Sequence, residues 1–518
     1  MTRRTFCSGF ICSAGVLGVE GANAWVPVSR PNLRVGILSD VHVTKPENAN
    51  WFEKALRHFD SVKVDAVMIT GDLTTWNVFS EFETVAHTWF KVFPDDCRSD
   101  GVRIERLFIT GNHDVDGWAY GGARFKSVEE AKPTSFFFHR EEFWEKLFHE
   151  RYEPIVVKDV KGYTFILRNW MSILGTESSG HPLAAGFRDE VSPLPDVMDK
   201  LGDRLRGKTF FYAQHEPMTG TVNTAESVDG VRQSGKHSDS ETRRLLEKYP
   251  NCVAFTGHTH YSLTDETSIW QGGFTALNCS CARGYAFSRP GYENGFAVED
   301  FNRRPPYEME RFDHTSVRQG MVMDVFDDRI RFERLDLTFG LSLGSDWVVP
   351  LFAGGVTIPS SGRPKYDFIR RVRESRAPQF KPDSKVSVSF VENGLRRKAD
   401  GMGALDSASA HRQIVVSFPP VVVGLSSPTR AYAFRVQCEA RETGVGFSAV
   451  QVRNVLSPNF AQSQVRDVEP CTCRFPCVEL PSGRPLRFTV TPRNCWGVEG
   501  APIASRWMTI QDSRLFML

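Results

Sequence analysis

From residue 34 the chain alternates wholly apolar runs with stretches whose apolar residues recur every three or four positions. RVGIL (34–38), AVMIT (66–70) and RLFIT (106–110) have the length of buried strands. Between the first two, Phe52, Ala55, Leu56 and Phe59 form the stripe of an amphipathic helix, and Phe82, Val85 and Trp89 repeat that spacing before the third. The order β-α-β-α-β predicts an α/β fold with largely parallel pairing. The pattern is less regular from 115 to 205, an aromatic-rich stretch read as an insertion or cap containing a helix within SFFFHREEFWEKLF (135–148) and the strand YTFILR (163–168). Regularity returns with KTFFYA (208–213). A helix is expected to open near Ser238, with Glu241 completing a capping box, before CVAFT (252–256). GMVMDVF (320–326) and RIRFER (329–334) read as a closing hairpin.

Past about residue 345, Pro, Gly and Ser punctuate alternating strands without helices. Val386, Val388 and Phe390 alternate, as do Tyr432, Phe434, Val436 and Cys438, and again Leu486, Phe488 and Val490. The organisation read from these shifts is a domain at 30–345, a linker at 346–384 and an all-β sandwich at 385–518. The last resembles an immunoglobulin or fibronectin III-like module in strand length and spacing, without a specific motif.

The balance of 63 basic and 62 acidic residues argues against nucleic-acid polymer binding and against electrostatic anchoring to a membrane. The first 24 residues stand apart: Arg3 and Arg4, an apolar stretch from about Phe6 to Val19, and a small-x-small ending at Ala24. This is the anatomy of a signal peptide, too short to span a bilayer. Thr-Arg-Arg-x-Phe resembles a twin-arginine export signal, although Cys7 and Ser8 depart from its usual continuation and an ordinary secretory signal has the same layout. A periplasmic or secreted bacterial protein is the expectation. Of 11 cysteines, Cys7 and Cys12 leave with this segment and nine remain. Cys438, Cys471, Cys473, Cys477 and Cys495 gather near the C-terminus, where one or two disulfides are expected in an oxidising compartment.

Five polar clusters each follow an apolar strand. ILSDVH supplies Asp40 and His42, ITGDL supplies Asp72, and ITGNHD supplies Asn112, His113 and Asp114. YAQHEP supplies His215, and FTGHTH supplies His258 and His260. Each alone has a plain structural explanation, since Gly-Asp is common turn chemistry and a lone histidine is often a hydrogen-bonded core residue. Together they fall where an α/β sheet gathers distant segments, at the carboxyl ends of its strands. Carboxylate, amide and imidazole donors without thiolate suit first-row divalent ions such as Mn, Fe or Zn.

The series D-x-H, GD, GNHD, H and GHxH resembles the calcineurin-like metallophosphoesterase family over about residues 33–335. The resemblance implies a β-sandwich flanked by helices, and two divalent metal ions at the strand ends. It implies Asp40, His42 and His260 on one ion, Asn112, His215 and His258 on the other, and Asp72 bridging them. Such ions clamp a phosphoryl group and convert water to hydroxide at neutral pH. His113 is then implied as the proton donor to the leaving oxygen, with Asp114 orienting its ring and Gly111 letting the backbone bend close to the ions.

SDVH, TGDL, GNHD and GHTH are most similar to the cyclic-nucleotide phosphodiesterase-like branch. The reading is an exported phosphodiesterase acting on a small phosphoester, with a phosphomonoesterase or nucleotidase as the alternative on the same site. Arg283 and Tyr285, in the loop at 278–295, are candidate substrate contacts or ordinary loop residues. A different class of reading is a surface-polymer-binding protein with an idle metallo-domain. Glycan contact through the C-terminal region fits either class, but the intact ligand set argues for the enzyme.

Overall fold

The structure, a computed structural model, describes residues 30–119, 125–172, 193–222, 239–283, 317–358, 377–397, 405–421, 431–442, 446–457, 470–495, 498–511 and 514–517. The expected export signal, Ser238 and Tyr285 lie outside these residues. Among the described residues no helix is long and apolar enough to cross a membrane.

The chain opens with β1 (Leu33–Leu38), α1 (Asn50–Ser61), β2 (Ala66–Thr70), α2 (Phe79–Val92) and β3 (Glu105–Ile109), the three strands parallel. It then builds a second sheet from β4 (Ile155–Val160), β5 (Tyr163–Arg168), β6 (Phe210–Ala213), β7 (Cys252–Thr256), β8 (Ile269–Gln271) and β9 (Thr275–Asn278), in the order β4-β5-β6-β7-β9-β8. It returns to the first sheet with β10 (Gln319–Val325), β11 (Arg329–Asp336), β12 (Leu341–Ser342) and β13 (Trp347–Pro350), β10 lying antiparallel to β1.

Val35, Ile37, Met68, Leu107 and Ile109 of the first sheet meet Phe165, Leu167, Phe211, Phe255 and Leu277 of the second in one core. The intervening residues face outward under helices. Val67, Ile69 and Phe108 pack with Phe52, Leu56, Phe59, Phe82, Val85 and Trp89. On the far side Ile166, Phe210, Tyr212 and Ala254 pack with Leu194, Met198 and Leu246. Strands covered on both faces carry continuous apolar runs instead of alternation, which is why β1, β2 and β7 read as uniform blocks. Each large apolar side chain so buried contributes about 1.5–3 kcal/mol.

Three expectations change. The strand at 163–168 is part of the core: β5 pairs in parallel with β6, and Phe165 and Leu167 enter the intersheet core, so the β4-β5 hairpin belongs to the sandwich and not to an inserted cap. The segment expected to be a linker from 346 begins with β13, which pairs with β11, and Thr357 is fully buried against Pro250 and Thr275. The helix Ser240–Leu246 is capped by Asp239, whose carboxylate accepts the Thr242 N–H at 2.8 Å.

The C-terminal part is all-β. β14 (Ser387–Arg397), β15 (Leu405–Phe418) and β18 (Cys471–Pro476) form one antiparallel sheet. β16 (Ala433–Glu442), β17 (Gly446–Leu456), β19 (Pro485–Arg493), β20 (Ile503–Ala504), β21 (Met508–Gln511) and β22 (Arg514–Met517) form the other. Val416, Phe418, Phe434, Val436, Phe475, Phe488 and Val490 share a core between them. This supports an all-β region without singling out an immunoglobulin or fibronectin III-like type. All nine described cysteines are free thiols, so the expected disulfides are not formed. Cys438, Cys471 and Cys473 are instead small apolar members of that core.

Candidate metal centre

The five polar clusters follow β1, β2, β3, β6 and β7, so both sheets contribute at one end of the sandwich. The backbone bends sharply there. Asp40, His42, Asp72, His258 and His260 have φ of 51, 46, 53, 70 and 51°, a left-handed conformation that costs a side-chain-bearing residue about 1–3 kcal/mol and persists only where surroundings impose it. The loops bond to one another: Asp40 N–H donates to the Gly71 carbonyl at 3.0 Å, His42 N–H to the Asp72 carbonyl at 2.8 Å, and Gly257 N–H to the His215 carbonyl at 2.9 Å. The His258 N–H reaches both oxygens of Asp40, at 3.2 and 3.1 Å.

Asp40, His42, Asp72 and His260 present donor atoms that all lie within 4.8 Å of one another. His260 Nε2 is 2.8 Å from Asp40 Oδ1 and 3.3 Å from His42 Nε2. The other donors gather around Asn112 Oδ1, which lies 3.0 Å from His215 Nε2 and 3.0 Å from His258 Nδ1. Asp72 Oδ2 stands between the groups, 3.6 Å from His42 Nε2 and 3.1 Å from His215 Nε2. Asp40 and Asp72 are buried, and their only ion-pair partners among the described residues are imidazoles. Two buried carboxylates without a lysine or arginine form an expensive arrangement that a divalent cation relieves. The donor set therefore fits such an ion.

Glycine is required at Gly111 for space. Its φ of −110° is open to any residue, but a Cβ would sit 2.2 Å from Asp72 Oδ1 and 2.8 Å from His215 Cδ2. At Gly257 it would sit 2.0 Å from Ser39 Oγ and 2.6 Å from Asp40 Oδ2. Gly111→Ala is expected to displace Asp72 and His215 and to weaken metal binding by about 10-fold or more, measured by metal titration. Wild-type affinity in that variant would contradict the crowding.

Electrostatics favours protons where a cation would go. Burial disfavours charge on His215, but Asp72 and Asp40 outweigh it and raise its pKa to about 10. Burial likewise pushes Asp72 up, yet His215 and His113 hold it well below the usual carboxylate range. His42 is lowered well below an ordinary histidine, burial being the main cause. Without metal, His215 thus keeps its proton through neutral pH, and an incoming cation must displace it. Because the pKa is raised, affinity should climb with pH, by about tenfold per unit for one displaced proton. Zn titrations between about pH 6 and about pH 8 test this, and an affinity independent of pH would refute it.

His113 lies in the one-turn helix Asn112–Val115. Its N–H donates to Asp72 Oδ1 at 2.8 Å and its Nδ1 donates to the Thr75 carbonyl at 2.9 Å, which sets the ring tautomer. The expected bond from Asp114 to that ring is not formed. The Asp114 carboxylate accepts N–H groups of Leu73 (3.0 Å), Thr74 (2.7 Å) and Gly111 (2.9 Å) and the Thr74 hydroxyl (2.8 Å), tying the loop after β2 to that after β3. Burial and the Asp72 charge raise its pKa to about 7. Arg283 is buried beside the cluster. Its Nη1 donates to the His42 carbonyl and, at 2.7 Å, to Thr75 Oγ1, and burial lowers its pKa to about 10.

Sequence reasoning missed the supporting residues. The Thr70 carbonyl accepts His215 Nδ1–H at 2.8 Å, directing Nε2 toward Asp72 and Asn112. Trp170, just past β5, packs against His215 and His258 with ring centroids 6.1 and 6.2 Å away. Its position after a core strand was the available signal, but tryptophan is no metal ligand.

Residues 33–262 match the family model of calcineurin-like phosphoesterases. No curated protein matches the chain. Among solved structures, a dimetal phosphatase from Danio rerio is similar at 12% identity, over 62% of this chain and 99% of that one, with a TM-score of 0.35. A purple acid phosphatase from yellow lupin (Lupinus luteus) seeds is similar at 13% identity, over 65% of this chain and 58% of that one, with a TM-score of 0.36. GAP50 of Plasmodium, described as the anchor in the inner membrane complex, is similar at 11% identity over 64% and 99%, with a TM-score of 0.31.

Proposed function

We propose that this chain, through its calcineurin-like metallophosphoesterase domain, is a dinuclear-metal-dependent hydrolase of a small phosphodiester. The observation that carries the reading is the buried convergence of carboxylate, amide and imidazole donors from five strand ends, where among the described residues the two aspartates have only imidazoles, themselves candidate ligands, as ion-pair partners. Asp40, His42 and His260 hold one ion, Asn112, His215 and His258 hold the second, and Asp72 stands between them. Bound there, Mn, Fe or Zn would bind phosphoryl oxygens and activate water.

The protein's own part is placement and proton handling. The left-handed turns fix the donors before any ion arrives, so little reorganisation accompanies binding. In its doubly protonated form His113, whose Nδ1–H is held by the Thr75 carbonyl, donates the Nε2 proton to the leaving-group oxygen and is left as the neutral Nδ1–H ring. Asp114 acts on this step only through the loops it ties together. Arg283, cationic and buried beside His42, is a candidate partner for phosphoryl charge. A phosphomonoester is the alternative substrate, because the centre recognises the phosphoryl group and leaves the second ester to the surrounding loops. The leader-like first 24 residues support export to the periplasm or beyond.

The test is a hydrolysis screen of a diester, a monoester, cyclic nucleotides and phospholipid head groups with protein loaded with Mn, Fe or Zn. Turnover of a diester is the expected result. No hydrolysis of any ester would overturn the proposal and return weight to a binding protein with an idle centre.

A further inference from the structure

Tyr261 follows the candidate ligand His260 directly, and its ring is 1% exposed. Its hydroxyl hydrogen-bonds that of Tyr432, 171 positions later, at the entry to β16 of the all-β region. Tyr432 is 4% exposed and fixed on both sides: its N–H donates to the Arg493 carbonyl at 2.8 Å, and its carbonyl accepts the Ser457 N–H at 3.0 Å. The metallo-domain holds the far side of the same turn. Gln319 Oε1 accepts the Leu263 N–H at 2.7 Å, and Arg334 Nη1 donates to the Leu263 carbonyl at 2.8 Å. His260 itself has φ 51°, so its conformation depends on what grips the turn.

We propose that Tyr432 is a positioning residue for the metal centre, fixing the His260 turn through the Tyr261 hydroxyl, so that the all-β region completes the site. The inference rests on reading His260 as a metal ligand. It gives the C-terminal region a role in the same chemistry without placing it on the substrate.

The test uses full-length wild type, Tyr432→Phe, Tyr261→Phe and the double variant, each titrated with Co(II), whose visible absorption reports ligand geometry. Wild type is expected to bind Co(II) with a structured visible band. Each single variant should show an altered band and about 10-fold weaker binding, with the metal-free melting temperature essentially unchanged. The double variant should be no worse than Tyr261→Phe alone, because that substitution already removes the Tyr432 bond together with the bond between the Tyr261 hydroxyl and Asp265. If one single variant fails to fold, the other decides. A wild-type spectrum and affinity in the folded single variants, or additive losses in the double variant, would overturn the positioning role. A wild type that binds no Co(II) would overturn the metal reading itself, and this inference with it.

Discussion

Asp72→Asn is expected to lower the metal content from about two ions per chain to about one and to slow hydrolysis by about 10³-fold, corresponding to several kcal/mol of lost transition-state stabilisation. The reason is geometric. Asp72 Oδ2 lies within 3.6 Å of His42 Nε2 and 3.1 Å of His215 Nε2, so one carboxylate reaches donors of both groups. Its other oxygen accepts the His113 N–H at 2.8 Å. Asparagine can keep that amide bond, so the loop after β3 retains its anchor while the negative charge and one oxygen acceptor are lost. Elemental analysis of both proteins, alongside their turnover, checks the result. Equal metal content would remove Asp72 from the bridging position.

His113→Ala should leave metal content unchanged and lower kcat by about 10²- to 10⁴-fold, most severely for esters with poor leaving groups. The His113 ring lies 4.8 Å from that of His42, close enough to serve the same phosphoryl group. Its Nδ1–H is committed to the Thr75 carbonyl, which leaves Nε2 to deliver a proton. A good leaving group departs without protonation, so a comparison of aryl and alkyl esters isolates this role. Equal rates for variant and wild type on both ester classes would exclude it. Asp114→Asn offers a contrast: a terminal NH₂ would face backbone N–H donors of Leu73, Thr74 or Gly111, which disturbs loop packing more than proton transfer.

The strand ends were legible because their ligand residues interrupt apolar blocks, and a reader needs no coordinates to see Asp, Asn or His follow a run such as CVAFT. The helical stripe through Phe52, Leu56 and Phe59 was legible for the same reason, each residue being buried at its predicted spacing. The two-sheet arrangement was harder to read. Strands buried on both faces lose the alternation that tells which face meets which layer, so β5 reads as part of a cap, whereas β13 alternates but is only four residues long and reads as linker. Adjacency to His113 suggests a side-chain pair for Asp114, whereas the loop after β2, through Leu73 and Thr74, and Gly111 offer it backbone amides instead. Gly111 was noticed for its flexibility, but the crowding by Asp72 and His215 that demands glycine is a tertiary fact. Number and spacing suggest disulfides for the C-terminal cysteines, whereas Cys438, Cys471 and Cys473 fill the core between the two sheets as small apolar residues.

Asp40 and the His258 amide meet across 218 positions of chain, one from each sheet. A centre joined in this way exists only where both sheets are docked, and where docking follows the main folding barrier its contacts act on unfolding alone. Ions held there would then leave the rate of folding nearly untouched while slowing unfolding. Metal supply would thus govern how long a folded molecule survives, and a chelator would shorten its lifetime before any change in its fold.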